Sequence, residues 1–274
     1  MIKQFSKNLY CLVLVMVFVG TGCEQNYKEE VEAAAEQPEI ETIVPVPDYV
    51  SRAMQAAGGL DAWTGTEKIE VDGVVTFYRP DGSFYLTEQN YQIRPWSNSV
   101  RISAFEPQGK FVWQLSADGF HILEGAKRVD SLPADVCPCY LAEAILDITA
   151  APVLLLEAST GFTRGLEPVR MEGLWYYPIE QIGGNGKFSL RCAEDKTLSK
   201  AVFYQGKDSS LIDMIWFAGM GEQKFLAIRG YDYRQLERDG VRIPAKIEIF
   251  ETNEKGVLQQ KLVKIDLHSL IIRN

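Results

Sequence analysis

The spacing of apolar positions changes character along the chain. Residues 9 to 19 are an unbroken apolar run, and residues 24 to 47 show no period that would bury a face. From 48 to 63 the apolar residues fall at helical spacing. From Lys68 onward β-branched and aromatic residues alternate with polar ones, the period of a half-buried strand. Asp48 is placed to cap a helix carrying Val50, Met54 and Ala57 on one face, and Gly58-Gly59 breaks that helix before Leu60 and Trp63. Ile69, Val71, Val74, Thr76 and Tyr78 predict the first strand. Arg79-Pro80-Asp81-Gly82 is a turn, and residues 83–93 return as its partner in a long hairpin. The same grammar predicts strands over 97–105, 110–116 and 120–123, joined by Pro107-Gln108-Gly109 and Ala117-Asp118-Gly119. Short connections between successive strands favour an antiparallel meander.

The alternation stops at residues 132–157, where a run rich in Ala, Leu and Ile predicts one or two helices, interrupted at Ala151-Pro152. Strand patterns resume at 173–181, 187–192, 200–205, 210–217, 223–234, 241–250 and 257–268, with Gly183-Gly184-Asn185-Gly186 and Asp239-Gly240 between them. More than ten strands against two or three helical segments predict a mainly β (α+β) domain. Its expected form is a single large curved antiparallel sheet, or an unclosed half-barrel, with the helices on the concave face. No internal repeat is present.

The N-terminal run changes the picture. Lys3 and Lys7 precede it, and Gly20, Thr21, Gly22 and Cys23 follow it. Positive charge, a short apolar core and small residues make an export signal, and the core is too short to span a bilayer. A plain secretory signal or a single membrane anchor has a similar layout. With the cysteine directly after the small residues, the segment resembles a bacterial lipoprotein signal, although Gly20 stands where that family usually has leucine. The resemblance implies removal of residues 1–22 and diacylation of Cys23, with palmitate among the acyl groups expected. Each buried methylene then contributes roughly 0.8 kcal/mol to anchoring. Residues 23–47, rich in Glu, Ala, Gln and Pro, read as a flexible tether, and residues 48–274 as the folded domain.

A formal charge of -9 without a basic patch argues against a nucleic-acid partner, because phosphate contacts need a basic surface. It also means that membrane attachment rests on the lipid. Glu24 stands after the cysteine where inner-membrane retention favours aspartate in some bacteria. That favours the outer membrane, with the domain in the periplasm. In an oxidising envelope Cys192 can pair with Cys137 or with Cys139, leaving the third thiol free and buried. The Cys-Pro-Cys spacing fits neither the usual redox motif nor a complete metal site. His121 and His268 are the only histidines, so no metal or cofactor is expected. The nucleophile elbow, the zinc-protease helix and the phosphate loop are all missing, and Asp195, Asp208, Asp213 and Glu222 read as solvated surface.

Two segments carry a resemblance. Ala57-Gly58-Gly59-Leu60-Asp61-Ala62-Trp63 leading into Ile69-Glu70-Val71-Asp72-Gly73, and Gly240-Val241-Arg242-Ile243-Pro244-Ala245-Lys246-Ile247, resemble the exported proteins of the LolA and LolB group, which have an unclosed β-barrel lidded by helices. The resemblance implies a non-enzymatic, membrane-anchored protein that binds or transfers a lipid, a lipoprotein acyl chain or another apolar ligand. Phe77, Phe84, Tyr91, Trp113, Trp175 and Trp216 are the candidates to line its cavity. The competing expectation is a filled core, with the outer face docking an envelope protein. Neighbouring aromatics such as Trp175-Tyr176-Tyr177 and Trp216-Phe217 point to opposite faces of a strand, so some of them should form an outward aromatic surface.

Overall fold

A computed structural model describes residues 47–129, 137–157, 162–165, 167–181, 192, 200–218, 225–236 and 240–273. All of them belong to the unit Val44–Asn274. The export pattern, Cys23 and the tether lie outside the described residues. So do residues 187–191 of one expected strand, together with Asp195 and Glu222.

Two short helices open the domain, α1 (Asp48–Ala56) and α2 (Leu60–Thr64), followed by the strands β1 (Lys68–Tyr78), β2 (Phe84–Arg94), β3 (Ser99–Glu106), β4 (Gly109–Ser116), β5 (Gly119–Glu124) and β6 (Lys127–Val129). The long helix α3 (Pro138–Glu157) comes next. After it run β7 (Phe162–Arg164), β8 (Val169–Met171), β9 (Leu174–Gln181), β10 (Lys200–Gly206), β11 (Ile212–Ala218) and β12 (Phe225–Tyr231). The chain ends with β13 (Arg234–Gln235), β14 (Arg242–Ile243), β15 (Lys246–Thr252) and β16 (Leu258–Arg273). Fourteen strands form one antiparallel sheet in the order β6-β5-β4-β3-β2-β1-β16-β15-β12-β11-β10-β9-β7, with β8 paired to β9 alone; β13 and β14 form a separate pair. The N-terminal meander and the C-terminal strands meet where β1 pairs with β16, and the outer strands β6 and β7 are not joined to each other. The sheet is therefore an unclosed half-barrel.

Strict alternation sets the register. Along β1 every second residue is buried, and Ile69, Val71, Val75 and Phe77 face inward beside Tyr91 and Ile93 of β2, Val100 and Ile102 of β3, and Trp113 and Leu115 of β4. A one-residue slip would turn this whole set to solvent, so the pairing is strongly specified.

Helix α3 covers the inner face. Residues Leu141 to Leu155 are all buried, the signature of a helix enclosed on every side rather than along one stripe. Its twenty residues reach about 30 Å, and it packs against β3 and β4 in one half of the sheet and β11 and β12 in the other. By length and mean hydropathy (1.7) it is apolar enough to cross a membrane, yet it is the core helix of this fold. The expected interruption at Ala151-Pro152 is corrected: the helix runs through Pro152. An internal proline costs about 3 kcal/mol. Continuing the helix buries Val153, Leu154 and Leu155, which offsets that cost.

Three other expectations change in detail. Asp48 is the first helical residue, not the cap, which is Pro47; its carboxylate pairs instead with Arg52 one turn on. Pro244 divides the expected strand 241–250 into β14 and β15, because proline has no N–H for the ladder. The strand expected over 223–234 ends at Tyr231, and Asp232 follows with a positive φ of 51°.

The two segments that carried the family resemblance touch each other. Gly58 has φ +118°, and a Cβ there would lie 2.2 Å from the carbonyl oxygen of Gly240, so only glycine lets the two backbones meet. The Ala57 carbonyl accepts from the Arg242 amide (2.8 Å) and from Trp63 Nε1 (3.1 Å), and Trp63 is fully buried. This junction fixes the opening helices against the late strands.

A disulfide joins Cys139, in the first turn of α3, to Cys192, with Cα atoms 5.9 Å apart. Cys137 is the free thiol, and it is exposed rather than buried as expected. Glu143, one turn along α3, accepts from the Cys192 amide at 3.2 Å.

Candidate functional site

The six aromatic residues proposed to line a cavity do not share one among the described residues. Phe77, Tyr91 and Trp113 are buried on the inner face of β1, β2 and β4. Tyr91 donates to Gln89 Oε1 at 2.8 Å, and burial raises its hydroxyl pKa well above the usual value. Glu106 also belongs to this region, and burial raises its carboxyl pKa. Phe84, 59% exposed, sits on the outside at the β1–β2 hairpin, against Tyr78. Trp175, 47% exposed, pairs across the strands with Arg170. Trp216 is buried, but on the opposite face of the sheet from α3.

Beneath α3 there is little room where the chain is described. The gap between Tyr140, Leu141 and Ala144 of α3 and Phe217, Ile228 and Ile249 of the sheet has a volume of about 10 Å³, no more than a single water position.

An opening wider than this gap lies on the other face. In β9 to β12 both faces of the sheet are apolar: Ile179, Phe203, Ile215 and Ile228 turn toward α3, while Val202, Met214, Trp216 and Ala227 turn outward and form a second, smaller core. This is why Trp216 and Phe217 are both buried, and the outward aromatic surface expected of that pair is absent. Two hairpins cover the second core. One is β8–β9, whose two-residue turn has φ +47° at Glu172 and +87° at Gly173, the positive pair that matches the twist of a tight hairpin. The other is the β15–β16 loop, held by Asn253, whose side-chain oxygen accepts from the amides of Lys255 (2.9 Å) and Val257 (3.1 Å). That loop lays Gly256 against the indole of Trp216, whose Nε1 donates to Thr252 Oγ1 at 3.0 Å.

Between the hairpins runs a groove of about 520 Å³. Its floor is Tyr176 and Pro178 of β9, Tyr204 of β10 and Met214 of β11, and its walls include Met171 and Leu258. Tyr176 and Tyr204 meet edge to face at 6.4 Å. The Tyr176 hydroxyl is buried without a hydrogen-bond partner among the described residues, and burial pushes its pKa up to about 12. Arg229 of β12, 7% exposed, completes the lining and forms an ion pair with Glu172. Its guanidinium also stands 4.8 Å from the centre of the Tyr231 ring.

Near this end of the sheet is Asp213, which the sequence suggested was a solvated surface group. It is partly buried; burial raises its carboxyl pKa to about 6, and the Ser209 hydroxyl, 3.3 Å away, opposes that shift. Neither Arg229 nor Asp213 stood out in the sequence, because a single charged residue in a strand pattern is usually solvent-facing. The one available signal was the pair of consecutive apolar residues in β10 and β11, a mark of strands covered on both faces. Among the described residues no three His, Cys, Asp or Glu side chains are grouped to hold a metal ion.

No family model matches the sequence, and no curated protein matches it. Solved structures do. A LolA superfamily protein from Nitrosomonas europaea superposes with a TM-score of 0.52 at 10% identity, over 84% of this chain and 94% of that one. A domain from Vibrio parahaemolyticus named for outer-membrane lipoprotein sorting gives 0.47 at 12% identity (82% and 93% covered). A DUF1329 family protein from Desulfovibrio piger gives 0.43 at 13% (83% and 93%). At such identities the likeness is one of architecture: the domain has a LolA-like fold.

Proposed function

We propose that the protein is a non-catalytic, lipid-anchored protein of the cell envelope whose domain binds or carries an apolar ligand such as a lipid or a lipoprotein acyl chain. In this reading Cys23 is acylated and the tether to residue 47 holds the domain off the outer membrane, on its periplasmic side. The observation that carries the reading is the groove on β9 to β12. Its volume of about 520 Å³ lies in the range of small-molecule sites, about 300–1,000 Å³. A lining of tyrosine, methionine and leucine binds alkyl chains by burial, at about 25 cal/mol per Å².

A test is organic extraction and mass spectrometry of the full-length protein purified from membranes, alongside metabolic labelling with palmitate. The expected outcome is a non-covalent lipid at a fixed ratio to protein, and palmitate label that Cys23→Ala abolishes. Repeated extraction of ligand-free protein ends the carrier reading, and label on Cys23→Ala ends the anchoring one.

A second reading is favoured by the close packing under α3: a structural or interaction module whose inner face is filled and whose outer face docks another envelope protein. In that case the protein yields no lipid, and crosslinking in cells joins it to one partner.

A further inference from the structure

The outer groove contains something that purely apolar binding leaves unused, which is a buried guanidinium. Arg229 is 7% exposed and sits between Met214 of β11 and Glu248 of β15 on the outer face of the sheet. A buried cation needs a counter-charge, and leaving it without one costs several kcal/mol. Here the counter-charge comes from an unusual place. Glu172 belongs to the tight turn of the β8–β9 hairpin, its side chain is 54% exposed, and its own φ of +47° is uncommon for a non-glycine residue. Strand β8 is hydrogen-bonded to β9 alone, so lifting β8 off β9 leaves the β9–β10 ladder in place. The lining as a whole holds three cations, Arg170, Arg229 and Lys255, against two carboxylates, Glu172 and Glu180, in a chain whose formal charge is -9.

The geometry points to a single-chain amphiphile with a carboxylate head as the ligand of this groove, its alkyl chain lying along Tyr176, Tyr204, Met214 and Leu258 and its carboxylate replacing Glu172 on Arg229. The inference rests on the binding reading above and specifies its site and ligand. A carboxylate is the like-for-like substitute for the group Arg229 already holds, and the planar guanidinium can accept it in a two-pronged arrangement. One chain, not two, suits a volume in the lower half of the usual range. Glu172 then acts as a resident counter-ion: it keeps Arg229 paired while the groove is empty and swings into water, where it is already half exposed, when ligand enters.

The test uses the full-length protein in phosphatidylcholine nanodiscs and a photoactivatable palmitate analogue, with labelled peptides mapped by mass spectrometry. Label is expected on the peptides carrying Tyr176, Met214 and Leu258. Unlabelled palmitate should displace it at about one-tenth the concentration required of hexadecanol, the advantage of a charge-assisted hydrogen bond. Arg229→Met should remove that difference while hexadecanol still competes, and Glu172→Gln, which removes the resident counter-ion of Arg229, should strengthen palmitate about threefold or more by weakening its rival. Equal competition by palmitate and hexadecanol in the wild type, or an unchanged affinity in Glu172→Gln, overturns head-group recognition. Label confined to α3 or to the inner face of β1 to β5 overturns the groove as the site but leaves lipid binding standing. Protein labelled no more than the nanodisc scaffold removes the binding reading itself.

Discussion

Opening the Cys139–Cys192 disulfide tests how the core helix is held. The two cysteines are 53 residues apart, and closing a loop of that length in the unfolded chain removes entropy worth about 4 kcal/mol at 25 °C. The helix it ties down is enclosed on all sides, so its native position does not depend on the bond. The loss should therefore appear as stability rather than as a change of fold. For a domain of this size each kcal/mol corresponds to roughly 2–4 °C, so the Cys139→Ala/Cys192→Ala variant should melt about 8–16 °C below the oxidised wild type. Wild-type protein in dithiothreitol should fall to the same midpoint. A single Cys139→Ala variant is a sharper probe, because Cys137 is exposed and lies two residues upstream. A new pairing of Cys137 with Cys192 would close a loop of almost the same length, and the logarithm hardly changes. Any deficit that remains in that variant then measures the cost of pulling Cys192 across Pro138. Circular dichroism melts with free-thiol counting give both numbers. A double variant that loses less than about 1 kcal/mol would refute the reasoning, since the crosslink would then be closing a loop that the unfolded chain already keeps closed.

Three further outcomes follow from single side chains. The Asp213 carboxyl has a folded pKa of about 6 against an ordinary 3.8, so the folded state binds its proton more tightly than the unfolded chain does. Stability should decline as pH rises from about 4 to 6 and then level off. Asp213→Asn should remove that decline, a difference of on the order of 3 kcal/mol at pH 7 that vanishes at pH 4 in urea melts; a constant difference across pH refutes it. Gly58→Ala places a Cβ 2.2 Å from the Gly240 oxygen at φ +118° and should cost more than about 2 kcal/mol by thermal melt, whereas Gly82→Ala, whose Cβ would meet nothing, should cost less. Leu146→Ala, in the fully enclosed part of α3, should cost about 2–5 kcal/mol, and a loss below 1 kcal/mol would mean that the helix is not packed as described.

Much of the architecture was readable because one face of each early strand is wet. In β1 the strand and its inner face were legible at Ile69 and Val71, but the set read through Val74, Thr76 and Tyr78 falls on the outer face, the inner residues there being Gly73, Val75 and Phe77. The later strands were harder. Phe203 and Val202, or Ile215 and Trp216, are neighbours buried on opposite faces, and a continuous apolar run reports burial without saying against what. The same ambiguity concealed the site. An aromatic residue in a strand signals packing, and only the pairing of β11 with β10 and β12 reveals that Trp216 faces away from α3 while Phe217 faces toward it. Pro152 misled for a related reason. The local penalty was legible, but the burial that outweighs it comes from strands distant in sequence.

The division of the sheet into two kinds of strand bears on where a ligand can bind. A half-barrel with one apolar face has a single place for a greasy cargo, its hollow, and any helix laid there competes with the cargo. In β9 to β12 the second apolar face lifts that restriction, because α3 can fill the inside while the outside remains available. Among the described residues two hairpins close the outside, one of them ending in a strand bonded to β9 alone and held at its tip by Glu172 against Arg229. Opening it by lifting β8 breaks that ion pair and the three-residue β8–β9 pairing while leaving the β9–β10 ladder in place. Withdrawing α3 would expose fifteen consecutive buried residues, Leu141 to Leu155, and at about 0.8 kcal/mol per buried methylene that cost far exceeds the loss of one ion pair and a three-residue strand pairing. Under the proposed binding reading, exchange at the outer groove leaves the core intact, and hydrogen exchange should show the β8 amides opening well before those of α3. Equal protection of the two would mean that the hairpin is not a separate moving part.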